Sequence, residues 1–144
     1  MSFFLLPVCA ARAGNVISAQ KGTLDLSNWN WDKDGIADLN GEWEFYWGKF
    51  YSPDFFKNND SAIQPNYIPV PSFWNDFIPD HQNFHSGFGY ATYRLKVLCP
   101  PGQQNLGIKF LTIASACKVF VNGKQILAVE IGRASCRERV LASV

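Results

Sequence analysis

"GEWEFYWG", residues 41–48, decides the fold. Trp43, Phe45 and Trp47 fall at every second position, with Glu42, Glu44 and Tyr46 between them. Successive side chains of a β-strand point to opposite faces, so this period puts the three largest rings on one side. Helical spacing would scatter them around an axis. Rings at period two suit a half-buried strand lying against a thick core.

Outward from this stretch the same period recurs. "YATYRLKVLCP" (90–100) sets Ala91, Tyr93, Leu95 and Val97 on one face and Thr92, Arg94 and Lys96 on the other, and Pro100-Pro101-Gly102 ends it. "NLGIKFLTI" (105–113) alternates Leu106, Ile108 and Phe110 with Gly107 and Lys109, which predicts a further strand. "ASACKVFVNGKQIL" (114–127) alternates Cys117, Val119 and Val121, then turns at Asn122-Gly123, the strongest hairpin signal in the chain. "LDLSNWNWDKDGIADLNG" (24–41) mixes apolar residues with the turn dipeptides Asp34-Gly35 and Asn40-Gly41. In "YIPVPSFWNDF" (67–77) Pro69 and Pro71 hold the chain extended, as an edge strand or an exit from the sheet requires. Trp74 is then placed to fold over the end of the core as a plug.

The connecting stretches lack a period. Residues 49–66 read as a loop with one helical turn opening at Ser52-Pro53, where Ser caps and Pro begins. Residues 78–89 form a polar loop that carries both histidines, His81 and His85. Short strands, frequent turns and hardly any helix predict an all-β fold, an antiparallel β-sandwich.

A length of 144 residues supports one domain. The net charge of +1 argues against nucleic acid or an anionic membrane surface as a partner. The chain holds no apolar run long enough for a transmembrane helix. Residues 1–13, "MSFFLLPVCAARA", combine a short apolar stretch with Ala11-Arg12-Ala13, a small-residue cleavage pattern, and read as a signal peptide cut near Ala13. Of four cysteines, Cys9 lies in that segment and Cys136 in the tail, which leaves Cys99 and Cys117. These two could bridge in an oxidising compartment or serve as small apolar side chains.

The tail, 130–144, begins "EIGRASCRERV". It has no apolar face and no cap, so it makes a poor terminal helix. Back-translated, these residues spell the reverse strand of a widely used short-read sequencing adapter. Residues 130–144 are therefore expected to be a non-native tail, with the genuine sequence stopping near Val129 and the sandwich, 24–129, incomplete at its C-terminus. Residues 1–12 and 130–144 hold four of the 13 basic and two of the 12 acidic residues, so without them the formal charge falls from +1 to −1. An unpaired sheet edge after "KQILAV" (124–129) is the structural consequence expected.

Together "DKDGIADLNGEWEFYWGKF", "YIPVPSFWNDF", "GFGYATYRLKV" and "KVFVNGKQI" resemble the N-terminal periplasmic domain of bacterial seven-transmembrane receptors with diverse intracellular signalling modules. The resemblance runs over about 24–126 and implies a galactose-binding-like jelly roll. It further implies a periplasmic ligand-sensing domain of a membrane signal-transduction receptor, non-catalytic in itself and attached to the membrane through helices downstream. The ligand would be a small molecule, with carbohydrate as the first class to consider. The same motifs resemble the sugar-binding accessory β-sandwich of secreted glycoside hydrolase family 2 enzymes, the β-galactosidase and β-glucuronidase group. The "EFYWGKF" and "GYATYRL" strands favour the receptor.

Several residue groups invite chemistry and have a plainer explanation. Glu42 and Glu44 sit two apart on one strand face, roughly 7 Å at their backbones, within the range of an inverting glycosidase pair. A solvated outer face explains them better. Asp32, Asp34 and Asp38 resemble a calcium loop, but Gly35 stands at the wrong place and no closing Glu follows, so a turn with local side-chain bonds is expected. His81 and His85 would make a metal pair only on a helix, and their surroundings read as loop. No catalytic residue, metal or cofactor is expected. Exposed rings stack on sugars, so Trp29, Trp31 and Trp74 are considered as platforms. The ligand-binding candidates are Trp74, Asn75 and His85.

Overall fold

A computed structural model of the chain describes residues 17–59, 63–77, 89–102, 106–110, 116–129 and 136–143, with Asn59, Asn75 and 136–143 described by backbone alone. In chain order they form β1 (Thr23–Asp25), α1 (Trp31–Asp34), β2 (Gly41–Trp47), α2 (Pro53–Asn59) and β3 (Asn66–Val70). A 3-10 turn at Trp74–Phe77 follows, then β4 (Gly89–Leu98), β5 (Ala116–Val121), β6 (Lys124–Val129) and β7 (Cys136–Ser143). The protein is mostly β, and its strands join in one curled sheet of order β3-β2-β4-β7-β5-β6, with β1 beside β4.

The ring-bearing strand sits where its pattern requires. β2 pairs antiparallel with β3, Trp43 opposite Ile68, and with β4, Phe45 opposite Tyr93. Its rings and the alternate residues of β4 share one face. Trp43, Phe45, Ala91, Tyr93, Leu95 and Val97 are buried there together with Leu24, Leu26, Ile68 and Trp74. Phe45, at 0% exposed, lies edge-to-face against Tyr93 with ring centroids 5.1 Å apart. Burying a side chain of this size is worth about 2–3 kcal/mol before its neighbours are counted. β3, with Pro69, is an edge strand as expected.

The turn chemistry also holds. Asn122 and Gly123 both have positive φ, 48° and 83°, which turns β5 into β6 in two residues. Ser52 Oγ accepts a bond from the Phe55 amide at 3.3 Å, and α2 runs beyond the single turn expected. The Asp-rich stretch is a capped helical turn. Asn30 Oδ1 accepts from the amides of Asp32 and Lys33, both at 3.1 Å, and Asp34 Oδ2 accepts from the Asn30 amide at 2.9 Å.

Three expectations need correction. The sheet is not purely antiparallel, because β1 runs parallel to β4 and β7 runs parallel to both β4 and β5. The expected strand at 105–113 is not seen where the chain is described. Residues 106–110 carry no ladder, and Leu106 and Phe110 are 43% and 37% exposed. Alternation specifies a face and does not by itself provide a partner strand. Third, the strand β6 is followed by another strand after all. Cys136–Ser143 pairs along eight residues of β4 and six of β5. Backbone amides pair whatever side chains they carry, so an arginine-rich segment can enter a sheet. Residues before β1 also join the start of β2. The amide of Ala19 donates to Asn40 O and its carbonyl accepts from Glu42 N, both at 2.8 Å, so this residue straps the start of β2.

Candidate functional site

Two groups of side chains stand out on the β2–β4 pair. The first lies at the end where β2 leaves the sheet and β4 enters it. Trp47 packs edge-to-face on Trp74 with centroids 4.8 Å apart. Gly89 lies directly against the Trp47 indole, so that any Cβ there would run into the ring. Trp74 is only 8% exposed and belongs to the core cluster. It plugs the core, as its place after two prolines suggested, and its ring is not a free stacking platform.

On the opposite face of the same end, Phe50 and Tyr90 stack with centroids 4.5 Å apart and planes 26° from parallel. They are 41% and 43% exposed. The hydrogen bond from the Gly48 amide to Tyr90 O, 2.8 Å, ties the exit of β2 to the start of β4 and sets the two rings side by side. Thr92 fixes the same segment from inside. Its hydroxyl donates to Lys49 O at 2.7 Å and accepts from the Tyr51 amide at 3.1 Å.

The second group lies on the face covered by α2. The Glu44 carboxylate accepts from the Tyr46 hydroxyl at 2.9 Å and is paired with Arg94 Nη1 at 3.3 Å. The guanidinium sits 4.6 Å from the centre of the Phe56 ring. Phe56, buried on α2, also packs on Tyr46 and Tyr51, with Phe120 of β5 beside them. Burial and the adjoining carboxylate raise the Tyr46 phenol well above its ordinary pKa. The expected solvated face for Glu44 is therefore wrong, since Tyr46, Arg94 and the turn at Gly22 crowd its side chain and leave it 17% exposed. Glu42 is on the surface and accepts from the Lys21 amide at 3.2 Å. The two glutamates do not share one environment, which removes the basis for an acid/base pair.

The other residues singled out by sequence are dispersed. Trp29 and Trp31 are half-buried against the core, 6.5 Å apart, and Trp29 Nε1 donates to Gly35 O at 3.1 Å. Asn75 lies in the 3-10 turn next to Trp74. His81 and His85 lie outside the described residues, in the segment that leads into β4. No disulfide joins Cys99 to Cys117; Cys99 is half-buried against the core, where burial raises its thiol pKa, and Cys117 is buried in β5. Among the described residues no group of three or more His, Cys, Asp or Glu could hold a metal.

No family model, no curated protein and no solved structure matches the chain. Placement within this molecule is thus what the site has to offer. Sequence reading missed Phe50 and Tyr90 because they stand at strand ends, where alternation carries no signal. It missed the Glu44–Arg94 pair because register, which joins positions 50 apart, is not written in either strand alone.

Proposed function

We propose that the domain is a ligand-sensing module of a membrane signal-transduction receptor, a galactose-binding-like β-sandwich on the periplasmic side of a bacterial membrane. The observation that carries this reading is the placement of the four motifs behind the resemblance. They fold as β2, as β3 with its Trp74 plug, as β4, and as the β5–β6 hairpin, with the first three adjacent in one sheet. The ligand surface is the exposed Phe50–Tyr90 stack at the end of β2 and β4, whose outward ring face is of the kind that pyranose rings stack on. Binding there would load the point where the exit of β2 is tied to the entry of β4, and that junction is what a receptor could relay through.

The test is a melting experiment on the whole chain with a panel of neutral mono- and disaccharides. A binding sugar at 100 times its dissociation constant should stabilise by about 2.7 kcal/mol, and Phe50→Ala or Tyr90→Ala should abolish the shift without lowering the ligand-free melting temperature by much. A shift that survives both substitutions moves the site elsewhere. No shift across the panel removes carbohydrate from the reading. The same motifs also fit the accessory sandwich of a family 2 glycoside hydrolase. The native sequence after Val129 separates the two, since seven apolar helices favour the receptor and a barrel with paired glutamates favours the hydrolase.

A further inference from the structure

Residues 18–25 form a small hairpin wedged between β2 and β4. Lys21 and Gly22 both take positive φ, 45° and 73°, and Gln20 and Thr23 exchange backbone bonds of 2.8 and 2.9 Å across them. Ala19 straps the start of β2, and β1 runs beside β4. Gly22 joins the two sides, since its amide donates to Glu42 O at 2.9 Å and its carbonyl accepts from Lys96 N at 2.8 Å. A Cβ on Gly22 would fall 2.5 Å from Glu44 Cγ, so the turn sits hard against the sheet.

Alternation gives this hairpin two faces. Ala19 and Leu24 are buried in the core, whereas Ser18, Gln20 and Asp25 are exposed and Thr23 is half-buried. These four polar residues, with Ile17, line an open cleft of about 480 Å³. That size falls among small-molecule sites, which span about 300–1,000 Å³. Backbone bonds fix the hairpin to both neighbouring strands, so little has to be ordered on binding.

The lining is rich in acceptors. Among the described residues it offers one carboxylate, one carboxamide and two hydroxyls, and no basic side chain. Lys21 in the turn and Lys96, opposite Thr23 in the ladder, do not line it. Neither ion pair of the described residues uses the Asp25 carboxylate. Bonds from the Ser27 hydroxyl and amide hold its carboxyl below the ordinary range, so it is charged at neutral pH. An anion would be repelled here, and a neutral ring would gain only ordinary hydrogen bonds. A ligand that brings both a cation and hydroxyls matches the whole lining.

We infer that this cleft is a second ligand site, for a small hydroxylated molecule carrying a protonated amine, with Asp25 taking the ammonium and Ser18, Gln20 and Thr23 the hydroxyls. Amino sugars are of this class. The cleft lies beside the Lys96–Leu98 end of β4, whereas Tyr90 stands at its start, so the inference is independent of the Phe50–Tyr90 platform and of the sensor reading.

Three probes of one ring shape test it: glucosamine, glucose and glucuronate, titrated into the whole chain at about pH 6, where the amine is protonated. Amide chemical shifts should move over residues 18–25. Glucosamine should bind about tenfold more tightly than glucose, because a charge-assisted bond is about twice as strong as a neutral one, and glucuronate should not bind. Salt at about 0.5 M should narrow the gap between glucosamine and glucose. Asp25→Asn keeps an acceptor for the Ser27 amide and removes the charge, so it should bring glucosamine down to the level of glucose. Gln20→Ala should weaken both sugars alike, and Phe50→Ala should change neither. Equal affinities for the three probes, or no binding of glucosamine, overturn the proposal. So does an Asp25→Asn variant that still prefers glucosamine. Shifts over 18–25 that vanish with Phe50→Ala also overturn it, since they would report the ring platform and not the cleft. Glucosamine binding at 18–25 with no neutral sugar at Phe50 and Tyr90 would support the cleft while removing carbohydrate from the sensor reading.

Discussion

The two halves of the sheet are built differently, although both are legible in the sequence as strands. In the β2–β3–β4 half, three rings of β2 interlock with Tyr93, Ile68 and Trp74, and Phe45, Leu95 and Leu24 are wholly buried. In the β5–β6 half, Cys117 and Val119 are buried, while Ile126 of β6 is 48% exposed. That hairpin is defined by its Asn122-Gly123 turn and by ladders to its neighbours more than by a core of its own. The contrast teaches that period two specifies a face, and that the size of the residues on that face decides whether it becomes a core.

The largest predicted effect sharpens this contrast. Phe45→Ala should cost about 3–5 kcal/mol in chemical denaturation, because the hole it leaves lies between Trp47 and Tyr93 and cannot collapse. Ile126→Ala in β6 should stay within about 0.5 kcal/mol of the parent. If the two substitutions cost the same, the halves are not distinct. Next in size is Gly89→Ala. The added methyl meets the Trp47 indole, so the ring must move off Trp74, at a cost of about 1–3 kcal/mol. Trp47→Phe in the same chain should recover part of that loss, and a cost unchanged by the smaller ring would place the strain elsewhere.

Much of the fold could be read from residue order, and the failures have physical causes. The faces of β2 and β4, the edge position of Pro69, the hairpin turn and the Ser52 cap are local properties, fixed by alternation and by the conformations that single residues allow. The alternation of Leu106, Ile108 and Phe110 was equally clear, yet 106–110 carries no ladder. Whether a pattern finds a partner is a property of the whole sheet and not of the segment. The site was less legible still. Trp74 was placed correctly as a plug, but it could not also be a platform. The cover over Tyr46 and Arg94 came from Phe56, in a stretch without any period.

A smaller effect tests that cover. Tyr46→Phe removes the bond to Glu44 and should cost about 1 kcal/mol at neutral pH. Burial, and then the bond to Glu44, raise the phenol's pKa in the folded state. The folded chain therefore holds this proton at pH values where the unfolded chain, with an ordinary tyrosine pKa of about 10, has lost it. Stability from Tyr46 is complete below that value and declines as pH rises above it, more gently than the one-proton limit of about 1.4 kcal/mol per pH unit. Urea melts between pH 9 and 11.5, at steps of half a unit, should show the decline in the parent and a flatter profile in Tyr46→Phe. Parallel profiles would mean that the phenol is not in this environment.

The smallest effect belongs to the other ion pair of the same helix. Lys57 Nζ lies 3.0 Å from Asp54 Oδ1, a shorter distance than the 3.3 Å between Arg94 and Glu44. Distance alone would make the α2 pair the stronger one. But its side chains are 64% and 81% exposed, against 17% for each partner of the buried pair. Water screens the first pair, and two mobile side chains must be held still to form it, so Lys57→Ala should change stability by no more than about 0.5 kcal/mol. What holds α2 to the sheet is Phe56, buried over Tyr46 and Arg94, and not its surface charges. Double-mutant cycles on the two pairs give the comparison directly. The coupling between Glu44 and Arg94 should exceed that between Asp54 and Lys57, and 0.5 M salt should erase only the latter. A salt-sensitive Glu44–Arg94 coupling would show that α2 does not shield this face from water.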